Sequence, residues 1–228
     1  MIPWVELDTA DIPGETTTLR LKRRGEEFSI MLGANELMNS RLSGSEEALA
    51  ELSCEKLAGR KKPVVLIGGL GMGFTLRAAL AVLPPDARII VAELVPAVVK
   101  WARGEMASVF SGALDDPRVE IHTGDVVSLI SSSREAYDAI LLDVDNGPDG
   151  LTRGSNDKLY DLGGLGRARK ALKRGGVLSV WSSAPDPRFT ARMAKAGFAT
   201  ELKMVRANAK RRGAKHVIWL AVPASEQN

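Results

Sequence analysis

The sequence predicts an α/β domain built on a doubly wound, mostly parallel sheet, and three observations carry that prediction. Five short apolar runs, Val64 to Ile67, Ala87 to Ala92, Val119 to His122, Ala139 to Leu142 and Val177 to Trp181, lack strict alternation, as strands buried on both faces do. Each is followed by a segment with helical spacing, which is the pattern of successive strand–helix–strand units. The chain end breaks the alternation: Ala199 to Val205 and His216 to Val222 are strand-like runs joined by a basic turn with no room for a helix. An antiparallel hairpin on the sheet edge follows, which separates this fold from a nicotinamide-type dinucleotide domain.

The segment before residue 63 reads differently. Thr17 to Leu21 and Phe28 to Leu32 are strand candidates separated by the charged turn Arg23-Arg24-Gly25-Glu26, so a small N-terminal β-hairpin is predicted. Ser45-Glu46-Glu47 opens a helix to about Leu57, with the serine placed to cap and the acids in the first turn. The expected division is residues 1–60, hairpin plus helix, and residues 61–228, the ligand-binding domain. A chain of 228 residues with 45% hydrophobic content can bury one substantial core without disulfides.

Composition excludes several classes. The start of the chain has no basic segment followed by an apolar run, and no stretch approaches the roughly 18 apolar residues that span a bilayer. The single cysteine, Cys54, falls in a helical apolar pattern and reads as a structural thiol in a reducing, cytoplasmic protein. Net charge is +3 with a pI near 9.1. The basic residues cluster only at Lys210-Arg211-Arg212-Gly213-Ala214-Lys215, either a phosphate-contacting patch or the solvated tip of the terminal hairpin; no aromatic residues interleave them, which favours the tip. His122 and His216 lie within strand runs, lack metal-spaced partners and read as structural; no metal is expected.

Chemistry enters at Gly68-Gly69-Leu70-Gly71-Met72-Gly73, directly after the first parallel strand and opening a helix from Phe74. A pyrophosphate-binding fingerprint needs its third glycine at Phe74 or Leu76, depending on the start. The spacing Gly69-x-Gly71-x-Gly73 instead suits a ligand without a pyrophosphate. Glu93 ends the second strand and can accept two hydrogen bonds from a ribose diol. Asp125, with Val126 beside it, ends the third; it either accepts from an adenine amino group or caps the next helix. Asp143 ends the fourth strand, next to the first in a doubly wound sheet, and so stands across the crevice from the glycine loop. These four features converge on one nucleoside-shaped site.

From about Ser29 to Val205 the sequence resembles the spermidine synthase family within the class I S-adenosylmethionine-dependent transferases. The matching segments are the glycine loop, Glu93, Gly124-Asp125, Tyr137 to Asp143 with Gly147-Pro148 behind it, Leu159-Tyr160, and Leu172 to Leu178. The resemblance implies a seven-stranded sheet, an N-terminal β segment that assists a homodimer, Glu93 on ribose, Asp125 near adenine, and Asp143 deprotonating or orienting an attacking amine. Asp145 is the second catalytic candidate. Tyr160 is either an acceptor contact or a core-edge tyrosine, and Trp181 either a crevice wall or packing.

Two departures shape the functional expectation. The family's loop aspartate, which faces the amino group of the aminopropyl chain, is Gly71 here, and the family's tyrosine–glutamine pair of the polyamine pocket aligns with Leu49 and Ala50. Loss of the loop carboxylate tilts the expected ligand from decarboxylated S-adenosylmethionine to S-adenosylmethionine. The expectation is therefore a methyltransferase acting on a small molecule, an amine by preference. A polyamine aminopropyltransferase and a non-catalytic nucleoside- or RNA-binding module stand as alternatives, with membrane and nucleic-acid partners disfavoured.

Overall fold

The computed structural model describes residues 2–144, 158–208 and 213–224. It opens with β1 (Val5–Asp11), β2 (Thr18–Arg24), β3 (Glu27–Leu32) and β4 (Asn35–Asn39), paired in that order as an antiparallel sheet. The predicted hairpin is its centre. β1 and β4 escape a sequence reading because VELDTAD and NELMN carry acids and asparagines where strand propensity asks for β-branched or aromatic residues. The sheet buries Leu19, Leu21, Phe28 and Ile30 toward the rest of the molecule.

Helix α1 (Gly44–Glu55) follows. Ser45 does not cap it: Ser43 holds the cap position, and Ser45 is fully buried. β5 (Val64–Gly68), β6 (Arg88–Glu93), β7 (Val119–Thr123), β8 (Tyr137–Leu142) and β9 (Leu172–Ser182) then form the predicted parallel strands. β10 (Phe198–Arg206) and β11 (Lys215–Pro223) form the predicted antiparallel hairpin, with β11 the inner strand. The sheet is seven-stranded in the order β10-β11-β9-β8-β5-β6-β7.

Helices cover both faces, as alternate strand residues demand. Val65 and Ile67 join one core, shared with α1, α2 (Phe74–Val82), α3 (Pro96–Arg103), the short α4 (Ala107–Phe110) and the N-terminal sheet. Leu66 joins the other, beneath α5 (Val126–Ser132), α6 (Leu162–Ala171) and α7 (Pro187–Lys195). Cys54 is buried in the first core, and burial pushes its thiol up to about 12, so it is inert as a nucleophile. Among the described residues no helix is long and apolar enough to cross a membrane.

Two polar anchors set the register of the parts that meet at the site. Asp8 of β1 accepts from the Trp101 indole at 2.8 Å and from Lys100 at 3.1 Å, tying the N-terminal sheet to α3. At the opposite end of the parallel strands Asp138, 4% exposed, accepts from Arg60 at 2.5 Å, Lys173 at 2.7 Å and the Val64 amide at 2.8 Å. Burial pushes the Asp138 carboxyl up, but Lys173, the Val64 amide and Arg60 outweigh it and hold it below its ordinary value. Asp138→Ala leaves two cations facing a buried gap and is expected to cost about 3 kcal/mol or more in urea unfolding. Because the folded carboxyl titrates below the unfolded one, this stabilisation is present above pH 3.8 and is lost on further acidification.

Candidate active site

The carboxyl ends of β5, β6, β7 and β8 open into a cavity roofed by the N-terminal sheet. Its apolar wall comes from Leu19, Ile30, Leu37 and Met38 on one side and from Ala92, Val95, Val98 and Val126 on the other. Gly69 and Gly71 lie between them, with φ of +93° and +49°. A side chain at Gly69 would sit against the Asp143 carbonyl oxygen, and one at Gly71 would meet the Met38 methyl at 2.6 Å. The loop is therefore bare because neighbouring chain passes close to it. Gly73 is different: it starts α2 at φ +75°, and a side chain there would enter the Phe110 ring, away from the cavity.

Glu93 is held before any ligand arrives. Its two carboxylate oxygens accept from the Leu70 amide and the Val95 amide, each at 2.9 Å, so it clasps the glycine loop to the end of β6. Burial pushes its carboxyl up, and the backbone amides of Val95, Leu70, Gly71 and Leu94 oppose that. Glu93 also lines the cavity, so the carboxylate that clasps the loop borders the space above the sheet. Asp125 caps α5, accepting from the Val127 amide at 2.8 Å, and also lines the cavity. Both sequence readings of Asp125 are thus compatible with one placement.

Asp143 accepts from the Thr75 hydroxyl at 2.6 Å, across the start of α2. Its carboxyl is pushed up to about 7, first by burial and then by the charge of Glu46, with Thr75 pulling the other way. Glu46, in the first turn of α1, lines the same cavity, and burial raises its carboxyl as well. Sequence reasoning placed Glu46 only as a first-turn acid. The signal that brings it here is tertiary: the Ser53 and Ser179 hydroxyls pair at 2.7 Å in the core and seat α1 on β9.

Trp181 lines the cavity, edge-on to His216 at 4.8 Å. Tyr160 is 2% exposed, packs against Phe189 at 5.5 Å and is not among the residues lining the cavity. Leu49 and Ala50 are fully buried in the first core. Asp145, Asn146, Gly147 and Pro148 lie outside the described residues, as do Lys210, Arg211 and Arg212 of the basic turn.

The charge of the cavity is one-sided. Glu15, Glu46, Glu93, Asp125 and Asp143 line it, with no lysine, arginine or histidine among the described lining residues, although the chain carries a net charge of +3. Such a lining attracts a cation and gives an anionic group no partner.

A doubly wound parallel sheet with a bare glycine loop, acids after successive strands and an antiparallel terminal hairpin is the fold shared with solved spermidine synthases. Residues 43–195 match the family model described as the spermine/spermidine synthase domain, and the chain belongs to that family. A polyamine aminopropyltransferase of Nitrosomonas europaea is 33% identical over 127 residues, covering 56% of this chain and 37% of that protein. One from Mycobacterium tuberculosis (strain H37Rv) is 32% identical, covering 54% of this chain and 23% of the relative. These matches span well under two thirds of the relatives' own length. In fold, the chain is similar to the spermidine synthase of Thermotoga maritima, with TM-score 0.73, 19% identity and coverage of 95% of this chain and 72% of that one. A spermidine synthase in complex with the transition-state analogue AdoDATO gives TM-score 0.72 at 19% identity, covering 95% and 71%.

These findings overturn the methyltransferase expectation, since the curated relatives are named aminopropyltransferases and the solved neighbours are spermidine synthases. The physical reason lies in Gly71. The loop does lack a carboxylate, but α1 delivers Glu46 to the same cavity, so the cavity is not relieved of negative charge.

Proposed function

We propose that the chain is a polyamine aminopropyltransferase that moves the aminopropyl group of decarboxylated S-adenosylmethionine to a linear diamine. The observation that carries this reading is the cavity's lining of five carboxylates, with no basic residue among the described lining residues. The donor is a sulfonium with an ammonium and no carboxylate, so it complements that lining; S-adenosylmethionine would bring a carboxylate with no cation among the described lining residues to receive it.

In this reading Gly69 and Gly71 let the adenosyl group approach the backbone, Glu93 accepts from the ribose hydroxyls, and Asp125 and Val126 flank the base. The donor supplies an electrophilic carbon activated by its sulfonium. An amine attacks only with its lone pair free, so a carboxylate with a pKa near 7 suits removal of its proton. Asp143 has that property, and the cavity wall formed by Trp181 and the N-terminal sheet holds the acceptor in line and keeps water out. The C–N bond forms as the C–S bond breaks, the bonding pair passes to sulfur, and Asp143 hands the proton to solvent.

The test is turnover with decarboxylated S-adenosylmethionine and putrescine, following release of 5′-methylthioadenosine. Stoichiometric thioether and a lengthened polyamine are expected. Release of S-adenosylhomocysteine from S-adenosylmethionine, with the decarboxylated donor inert, would sink the proposal.

A further inference from the structure

Proton transfer by Asp143 leaves a second, half-buried carboxylate in the cavity without a task. Glu46 is held in one orientation: the Ser45 hydroxyl donates to its Oε2 at 2.7 Å, and His216 Nδ1 lies 2.9 Å from that same Ser45 oxygen. A serine hydroxyl carries one hydrogen. With that hydrogen on Glu46, His216 Nδ1 must bear its own and donate to Ser45. Burial lowers the pKa of His216 and keeps it neutral. Trp181 then packs edge-on against the ring. Ser45 and His216 come from distant parts of the chain, and both serve to aim one carboxylate.

We infer that Glu46 receives the terminal ammonium of the donor's aminopropyl chain and so selects a donor that lacks an amino-acid carboxylate; this rests on the aminopropyl-transfer reading above. Three arguments converge. A largely desolvated carboxylate that shares the cavity with Asp143, with Glu47 also adding negative charge, meets no positive partner among the described lining residues. An ammonium supplies it. A carboxylate on the carbon next to that ammonium would stand close to both Glu46 and Asp143, two like charges in a desolvated site. Finally, the two acids are equipped differently. Glu46, fixed through Ser45 and His216, is built to bind, whereas Asp143 meets Thr75 and retains the basicity needed to take a proton. Gly71 offers no side chain that could do the binding in its place.

Calorimetry with three ligands and no acceptor separates this inference from the reading beneath it. The ligands are decarboxylated S-adenosylmethionine, S-adenosylmethionine, and 5′-methylthioadenosine, which has the adenosyl group and no ammonium. Glu46→Gln is expected to bind the decarboxylated donor about 10- to 100-fold more weakly, the loss typical of a charged hydrogen-bond partner. Its affinity for 5′-methylthioadenosine should stay within about twofold of wild type, which also shows that the variant is folded. The wild-type preference for the decarboxylated donor over S-adenosylmethionine should shrink in parallel. Ser45→Ala is expected to raise the donor KM several-fold with kcat held, because Ser45 positions Glu46 without touching ligand. If Glu46→Gln binds both adenosyl ligands as wild type does, or raises only the acceptor KM, the role given to Glu46 is wrong while aminopropyl transfer stands. If wild-type protein binds neither 5′-methylthioadenosine nor the decarboxylated donor, the site reading itself falls and takes the inference with it.

Discussion

Asp143→Asn is expected to lower turnover by about 10²- to 10⁴-fold, the range spanned by loss of a general base, while making the empty protein more stable. Asparagine keeps the shape and still accepts the Thr75 hydroxyl, but it cannot take a proton from an amine. In the wild type, kcat/KM for the acceptor should fall as pH drops below about 7, because Asp143 must be ionised to act; Asp143→Asn removes that limb of the profile. The stability gain has the same origin. Asp143 is raised from 3.8 to about 7 by burial and by Glu46, so the stabilisation carried by its protonated form is complete below 3.8 and is lost as pH rises through about 7. The variant's advantage should therefore be small near pH 4 and largest above 7. There it should reach about 1–2 kcal/mol, or a few degrees in Tm for a chain of this size. Thermal melts of the two proteins across that range check the sign. A variant that is inactive and also less stable at pH 8 would mean that Asp143 is a structural anchor and not a functional strain.

The division between what the chain announces and what it hides follows sequence distance. That Gly69, Glu93, Asp125 and Asp143 line one cavity is legible because each follows a strand of the parallel sheet, and strand ends of such a sheet share one edge whatever the loops do, even where, as in β7, the strand is a half-exposed edge and not a buried apolar run. Glu46 was not, since its place depends on how α1 docks through Ser53 and Ser179, which no local pattern encodes. The same holds for Gly71: the loop by itself does not show that Glu46, an acid from another element, lines the same cavity. β1 and β4 were hidden for a different reason. They are short and polar, and pairing with β2 and β3 makes them strands against their own propensities. Tyr160, singled out on the resemblance, lies in the core against Phe189, because the helical turn at residues 158–160 leads into α6 on the face of the sheet beneath α5 and α7.

Gly69→Ala should be the most damaging single-methyl change in the loop, and comparison with its neighbours explains why. Gly69, Gly71 and Gly73 all have positive φ, so each alanine bears a backbone penalty. What differs is the obstacle. At Gly71 the new methyl meets the Sδ and Cε atoms at the end of Met38, a flexible side chain that can swing away. At Gly73 it meets the Phe110 ring, 1% exposed and locked in the core, yet still a side chain. At Gly69 it meets the Asp143 carbonyl oxygen and carbon, which are backbone. That backbone is fixed, because the Asp143 amide donates to the Gly68 carbonyl at 2.9 Å while the Gly69 amide donates to Ala92 at 2.8 Å. Relief requires prising β8 from β5 at the point where the Asp143 carboxylate emerges. Urea unfolding is expected to show losses of about 2–4 kcal/mol for Gly69→Ala and about 1 kcal/mol for Gly71→Ala, with Gly73→Ala between them. The folded fraction of Gly69→Ala should also lose donor binding, since Asp143 and the bare amide edge move together. Equal losses at Gly69 and Gly71 would show that the strand ends yield easily, and then the crevice between β5 and β8 is not the rigid frame on which Asp143 depends.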